Sequence, residues 1–194
     1  MKTAGVAVLV VDMLNEFLTE GGVMPFPRGR AIVPTLQALL SHCREQDIPV
    51  IYLNESHRPD YDDVEFKKRG VHCIAGSWGA QVIDELTPEP GDHIVGKRRY
   101  SGFYDTDLDT LLRELGARTL IVTGCVTNIC VRSTVHDAFF RGYEVIVPKD
   151  CVEATDQREQ DSSLWDIETH FGEVTDAASV IGRFKAAAST SRAT

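Results

Sequence analysis

The sequence predicts an α/β domain of three layers, α-β-α, in which helices cover both faces of a mostly parallel six-stranded sheet. Short runs of apolar, often β-branched residues lack the polar alternation of half-exposed strands, as is typical of parallel strands buried on both faces. Segments with helical spacing of apolar residues separate these runs, which favours a parallel sheet. The chain has 194 residues, the usual size of one domain, so we expect a single domain over residues 1–194.

The individual elements follow from the same patterns. The runs that predict strands are, in chain order, 6–11, 49–53, 93–95, 119–123, 145–147 and 172–174. The segments with helical spacing are 32–43, 106–115, 130–141, 161–170 and the residues from 176 onwards. Residues 54–75 are polar, aromatic and irregular, and they are too numerous for an ordinary connection. Long loops of this kind often carry function.

The composition argues against several partners. The net charge is −9 with a pI near 5.1, and no basic run could follow a phosphate backbone, so we expect no nucleic-acid partner. The apolar stretch 6–11 is too short to span a bilayer and no signal peptide precedes it, so we expect no membrane association and a cytoplasmic location. Five cysteines without a C-x-x-C pair suggest neither a disulfide framework nor a four-cysteine zinc site.

Three polar residues stand where the carboxyl ends of the predicted strands should meet. Asp12 closes the first strand, Lys97 follows the third, and Cys130 begins the helix after the fourth. A thiol in the first turn of a helix lies near free backbone N–H groups and the positive end of the helix dipole, which favour thiolate. Asp12 could act as the base for this thiol, and Lys97 could hold both anionic forms in place.

Position alone leaves simpler interpretations open. A free cysteine is most often a small buried core residue, as we expect of Cys43, Cys125 and Cys151. An aspartate after a strand is often only a turn or helix cap, and the lysine could be a solvated charge. A catalytic triad therefore needs further support.

That support comes from three segments that resemble the isochorismatase-like cysteine hydrolase family. They are VVDMLNEF at 10–17, KRRYSGF at 97–103 with TDL at 106–108, and GCVTNICV at 124–131. The resemblance covers about residues 5–182 in the family's order and spacing. It implies the family's Rossmann-like fold.

By this resemblance Asp12, Lys97 and Cys130 form a catalytic triad, with a non-proline cis peptide between Cys125 and Val126. The backbone N–H groups of Val126 and Cys130 would form the oxyanion hole. True isochorismatases cleave a vinyl ether and lack the nucleophilic cysteine, so Cys130 favours an amidohydrolase. The implied reaction cleaves a C–N bond of a small carbamoyl, ureido or amide substrate through a thioacyl enzyme, without a cofactor.

Within the family, the sequence looks most like the branch of N-carbamoylsarcosine amidase, ureidoacrylate hydrolase and biuret hydrolase. The segment RYSGF after the lysine and GSWG at 76–79 favour this branch. Four residues would line the substrate pocket, although the aromatic ones could equally be core: Phe17, Asn54, Tyr100 and Thr127. Three arginines could bind a substrate carboxylate through their bidentate guanidinium groups: Arg58, Arg98 and Arg99.

Two alternatives to this assignment stay open. Nicotinamidases in the family bind a divalent metal through an Asp-x-His pair and a later histidine. Here Glu55, His57 and His72 stand at those places, and because this departs from the nicotinamidase pattern we expect no metal. The second alternative is a binding module that keeps the fold without chemistry. The resemblance also implies a homodimer or homotetramer, with Phe139, Phe140 and Trp165 as candidate contacts.

Overall fold

A computed structural model describes the backbone of residues 5–191 and the side chains of residues 5–184. Seven strands form one sheet in which every pairing is parallel, in the order β3-β2-β1-β4-β5-β7, with β6 paired to β4. The strands are β1 Val6–Val11, β2 Val50–Glu55, β3 His93–Lys97, β4 Thr119–Cys125, β5 Glu144–Pro148, β6 Val152–Glu153 and β7 Glu173–Thr175.

Helices and helical turns connect these strands. The α-helices are α1 Asn15–Leu18, α2 Val33–Glu45, α3 Phe66–Arg69, α4 Leu108–Glu114, α5 Arg132–Phe140, α6 Gln157–His170 and α7 Ala177–Ser191. The 3₁₀ turns are Pro27–Ile32, Asp84–Leu86 and Lys149–Cys151, and Thr127–Val131 forms a π-helical turn. No helix within residues 5–191 is long and apolar enough to cross a membrane.

Two apolar cores lie on opposite faces of the sheet, and β1 contributes to both. Val8 and Val10 belong to the core that includes Leu36 of α2 and Phe184 of α7. The neighbouring β1 residues, such as Leu9, belong to the core beneath α4, α5 and α6. Successive residues of a strand point to opposite faces, so the unbroken apolar run buries one residue on each side in turn. The three-layer prediction is confirmed.

The structure differs from the prediction mainly at the ends of elements. The sheet has a seventh strand, β6, whose two residues are too few to give a sequence pattern. Lys97 is the last residue of β3 and does not follow the strand. The helix predicted from residue 130 begins instead as the π-helical turn and becomes α-helical at Arg132. Helix α6 begins before residue 161 because Asp156 caps it, accepting from the Glu159 N–H at 3.0 Å.

Candidate active site

The three predicted catalytic residues lie together at the carboxyl edge of the sheet. Asp12 follows β1, the strand between β2 and β4, and its N–H donates to the Leu53 carbonyl oxygen at 3.0 Å. Lys97 ends β3, and Cys130 lies in the π-helical turn after β4. All three are almost completely buried, with exposed fractions of 1%, 0% and 7% respectively. Parallel strands bring their last residues to one edge, which explains why distant parts of the sequence meet here.

An ion pair and several hydrogen bonds hold Asp12 and the cysteine turn in place. Its Oδ2 lies 2.7 Å from the Lys97 Nζ, and its Oδ1 accepts a hydrogen bond of 2.8 Å from the Glu55 N–H. On the other side, the Cys130 carbonyl oxygen accepts from the Thr134 hydroxyl at 2.8 Å, and that hydroxyl accepts from the Gly102 N–H at 3.0 Å. Thr134 therefore connects the cysteine turn to the loop after Lys97, a role that the sequence did not indicate.

Burial dominates the ionisation of the triad. Burial raises the pKa of the Cys130 thiol well above its ordinary value, against the opposing effect of Lys97. Burial likewise raises the pKa of the Asp12 carboxyl, again opposed by Lys97. The Lys97 pKa is raised because the attraction of Asp12 and Cys130 exceeds the cost of burial. The prediction that the helix start would favour thiolate is therefore wrong for the resting site. At Cys130 burial outweighs the attraction of Lys97, and the neighbouring Asp12 carboxyl is placed to receive the thiol proton.

A cavity of about 390 Å³ opens onto Cys130. Of the four predicted pocket residues, Phe17 and Tyr100 line it, whereas Asn54 and Thr127 are buried and are not part of its wall. Val126, predicted to contribute to an oxyanion hole, also lines the cavity. The remaining wall is largely apolar and is formed by residues that include Met24, Pro25, Phe26, Pro27 and Ile129.

The arginines at the cavity differ from those that the sequence suggested. Arg58, Arg98 and Arg99 form ion pairs with Asp60, Asp105 and Asp63 and do not line the cavity. Arg28 and Arg69 line it instead. Arg28 is paired with Glu153 at 2.8 Å, whereas no ion pair to Arg69 is found among the described side chains. Arg69 could be found only from the fold, because its α3 turn lies within the irregular loop.

The backbone next to Cys130 has two special features. The peptide bond between Cys125 and Val126 is cis, which confirms the implied non-proline cis peptide. The preceding residue, Gly124, has φ +100°, a backbone conformation that residues with a side chain rarely adopt. A Cβ at this position would also lie 2.1 Å from the Val11 carbonyl oxygen. The strand that leads to Asp12 and the strand that leads to Cys130 therefore approach each other closely only because residue 124 has no side chain.

A second polar group borders the triad, and we call it the acid–histidine cluster: Glu55, His57, Glu65 and His72. One possible ligand atom from each residue lies within 4.8 Å of those of the others, and all four residues are buried. Glu55 contacts both imidazoles. Its Oε1 lies 3.3 Å from the His57 Nε2 and 3.5 Å from the His72 Nε2. Three members were considered from the sequence. Glu65 was missed because nothing in the polar stretch 54–75 distinguishes it from its acidic neighbours.

The possible ligand atoms of this cluster suit a divalent cation. Both carboxyl oxygens of Glu65 are buried without a hydrogen-bond partner. Burial and the nearby Glu55 carboxylate raise the pKa of Glu65 to about 7. Hydrogen bonds from His57 and His72 outweigh burial and keep the pKa of Glu55 well below its ordinary value. Two imidazole nitrogens and two carboxylates are a common ligand set for zinc, iron or manganese, and a cation would satisfy the Glu65 oxygens.

Comparisons with known proteins agree with this fold. The isochorismatase domain model matches residues 6–179. An isochorismatase-like hydrolase from Alkaliphilus metalliredigens is 38% identical, with a TM-score of 0.88 over 93% of this chain and 99% of that one. A cysteine hydrolase from Pseudomonas syringae pv. phaseolicola 1448A is 34% identical, with a TM-score of 0.89 over 96% and 95% of the two chains.

An N-carbamoylsarcosine amidase from Thermoplasma acidophilum is similar as well. It is 37% identical, with a TM-score of 0.80 over 91% of this chain and 97% of that one. The family model and these structures cover nearly the whole described chain, and the buried triad lies on the fold that they share. This chain belongs to the isochorismatase-like cysteine hydrolase family, in the part of it that includes N-carbamoylsarcosine amidase.

Proposed function

We propose that this hydrolase is a cysteine-dependent amidohydrolase that cleaves a C–N bond of a small carbamoyl, ureido or amide substrate. The observation that carries the proposal is the buried triad at the base of a substrate-sized cavity, with Asp12 2.7 Å from Lys97 and within reach of the Cys130 thiol. A carboxylate next to a thiol can take its proton and later return it to a leaving nitrogen.

The proposed reaction has two halves. In the first, the Cys130 sulfur adds to the substrate carbonyl carbon while its proton moves to Asp12. The N–H groups of Val126 and Cys130 stabilise the resulting oxyanion, and such a donor typically contributes about 3 kcal/mol. The C–N bond then breaks, Asp12 protonates the leaving nitrogen, and a thioacyl enzyme remains. In the second half, water gives a proton to Asp12 and adds to the thioester, which releases the acid and returns the proton to the thiol.

Lys97 supports both halves without forming a bond to the substrate. Its ammonium group favours the ionised form of Asp12 before each proton transfer and of Cys130 when sulfur is expelled. The cost of burying this charge is offset by Asp12, which is why the two residues act together. The N–H of Glu55 fixes the other oxygen of Asp12 and so holds the carboxylate in one orientation.

The cavity indicates the type of substrate. A volume of about 390 Å³ is at the lower end of small-molecule sites, so the substrate is compact. The aromatic and aliphatic wall would contact its apolar part, including Phe17 and Ile129. Arg69 at the same wall would attract a carboxylate, as an N-carbamoyl or ureido acid carries. We therefore expect an anionic ureido or carbamoyl acid to be turned over faster than a neutral amide.

The first test is ammonia release by metal-stripped protein from N-carbamoylsarcosine, ureidoacrylate, biuret, maleamate and nicotinamide. We expect release from at least one compound, its loss in Cys130→Ala, and selective alkylation of Cys130 by iodoacetamide. Cys43→Ala is the matched control, because Cys43 is a buried core thiol away from the cavity. Release that survives Cys130→Ala would refute the mechanism. No release together with an inert Cys130 would favour the binding module.

A second candidate function, a nicotinamidase-like metal-assisted amidase, is supported by the acid–histidine cluster. Its Glu55 and His72 line the same cavity as Cys130. A divalent cation held there would bind a ring nitrogen or another electron-pair donor of the substrate and so orient the amide. Asp12 and Cys130 would perform the same proton transfer and addition as in the first proposal. A requirement for added metal in the release of ammonia from nicotinamide would favour this candidate.

Two further predictions concern the whole molecule. The exposed aromatic side chains Phe139, Phe140 and Trp165, with exposed fractions of 46%, 71% and 65%, are suitable for contacts in a homodimer or homotetramer. The oligomeric state stays a prediction, which light scattering of the purified protein would test. The cytoplasmic location likewise stays a prediction from the sequence.

A further inference from the structure

Asp63 is a buried carboxylate outside the acid–histidine cluster that contacts one of its imidazoles. Its exposed fraction is 2%, and its Oδ2 lies 3.2 Å from the His57 Nδ1. Arg99 holds this carboxylate through Nη1, at 2.9 and 3.0 Å from the two oxygens, and the Glu65 N–H donates to Oδ1 at 3.0 Å. Arg99 and the Glu65 N–H therefore hold the Asp63 carboxylate in place beside the imidazole.

The two histidines of the cluster are oriented in the same way. The Nε2 of each faces Glu55, at 3.3 Å for His57 and 3.5 Å for His72. The Nδ1 of His72 forms a hydrogen bond of 2.7 Å with the Gly70 carbonyl oxygen, whereas the Nδ1 of His57 lies 3.2 Å from the Asp63 Oδ2, which is within ion-pair distance but outside hydrogen-bond geometry. When a cation takes the place of the Nε2 proton, an acceptor at Nδ1 keeps the remaining proton on Nδ1, so that the Nε2 lone pair binds the cation.

We infer that Asp63, held by Arg99, is a positioning residue that presets the His57 Nε2 for a divalent cation bound by the acid–histidine cluster. The inference rests on the second candidate function, because it requires that the cluster binds a cation. Carboxylates that orient a metal-binding histidine also raise its basicity, and their loss weakens metal binding. Arg99 follows Lys97 by two residues, so one short segment supports both the catalytic lysine and the cation cluster.

The test is a titration of metal-stripped protein with Co²⁺, whose visible absorption reports the geometry of its ligands. The Cys130→Ser background avoids absorption from a thiolate ligand. We expect one Co²⁺ per chain, lost in Glu65→Gln, and an affinity that falls 10- to 100-fold with a changed spectrum in Asp63→Ala. Asp63→Asn, which keeps an acceptor oxygen, should recover part of the affinity and the original spectrum. Asp60→Asn is the control, since Asp60 pairs with Arg58 on the surface.

Several outcomes would overturn the inference. Equal affinity and an unchanged spectrum in Asp63→Ala would show that Asp63 does not position His57. Absence of Co²⁺ binding in the parent protein would remove the cation altogether. If Asp63→Ala does not fold, Arg99→Gln replaces it, because glutamine lacks the charged Nη1 group that holds both oxygens of Asp63. Ammonia release by metal-stripped protein with intact Cys130, measured in parallel, shows whether the first proposed function stands when the cation inference fails.

Discussion

The triad and the acid–histidine cluster share the carboxyl edge of the sheet but balance their charges differently. In the triad, one buried cation faces one buried acid at 2.7 Å, and burial raises the pKa of the thiol above its ordinary value. In the cluster, two carboxylates lie together, and Glu65 has no hydrogen-bond partner among the described residues. Two neighbouring buried carboxylates repel each other, and a bound cation would offset that cost as Lys97 offsets the charge of Asp12 in the triad.

This difference suggests a division of roles. In the proposed thioacyl mechanism, the triad supplies the proton donor and the proton acceptor. The cluster has acceptor atoms in excess of donors, so it can bind a cation or the N–H groups of a substrate. Selectivity would then come from the cluster and the cavity wall, and the chemical step from the triad.

The comparison is tested most strongly by Asp12→Asn, which removes the proposed base of the triad. We expect the rate of the chemical step to fall about 100- to 10,000-fold. Because Lys97 loses its buried counter-ion, the free energy of unfolding should also fall, by about 3 kcal/mol. The double variant Asp12→Asn/Lys97→Met should regain stability but not activity. Stopped-flow turnover and urea unfolding measure the two effects, and a wild-type rate in Asp12→Asn would assign the base elsewhere.

The pH dependence of stability tests the cluster in metal-stripped protein. The Glu65 pKa of about 7 lies above its ordinary value of 4.5, so folded protein binds more protons than unfolded protein between these pH values. This group therefore makes stability fall as the pH rises from about 4.5 to 7. Glu65→Gln should remove this loss, on the order of 2 kcal/mol. Urea unfolding at several pH values measures it, with Glu114→Gln on the exposed side of α4 as control. Parallel profiles for wild type and Glu65→Gln would contradict the prediction.

The smallest expected effect concerns Arg69. Arg69→Gln should raise KM for a carboxylate substrate about tenfold and leave kcat nearly unchanged, since a partly exposed ionic hydrogen bond contributes binding alone. A neutral amide substrate should show no change in KM. Lys67→Gln is the control, because Lys67 lies in the same α3 turn but does not line the cavity. An equal rise in KM for both substrates would assign Arg69 a structural role.

The features that depend on the strands were predictable from the sequence. The unbroken apolar runs specified a sheet buried on both faces, and their last residues specified where Asp12, Lys97 and Cys130 would meet. The ends of elements were less predictable. Thr127–Val131 is a π-helical turn that directly follows the Cys125–Val126 cis peptide, and apolar spacing encodes neither feature.

Most of the site residues that the sequence could not predict lie in the irregular segment 54–75. Glu65 and Arg69 reach the cavity because α3 folds back against it, supported by the Arg99 contacts to Asp63. These contacts join residues far apart in the sequence, and no periodicity records them. Asn54 shows the converse, since the family resemblance suggested a pocket residue but the side chain is buried outside the cavity wall.

The close approach at Gly124 has a consequence for directed evolution. No functional group is present at this position, yet any added side chain would meet the Val11 carbonyl oxygen and separate the segments that carry Asp12 and Cys130. In a saturation library selected for turnover, position 124 should therefore be as intolerant as position 130. Libraries that aim at new substrates gain most by fixing Gly124 and varying the wall residues Phe17, Met24 and Ile129, which contact the cavity without holding the triad.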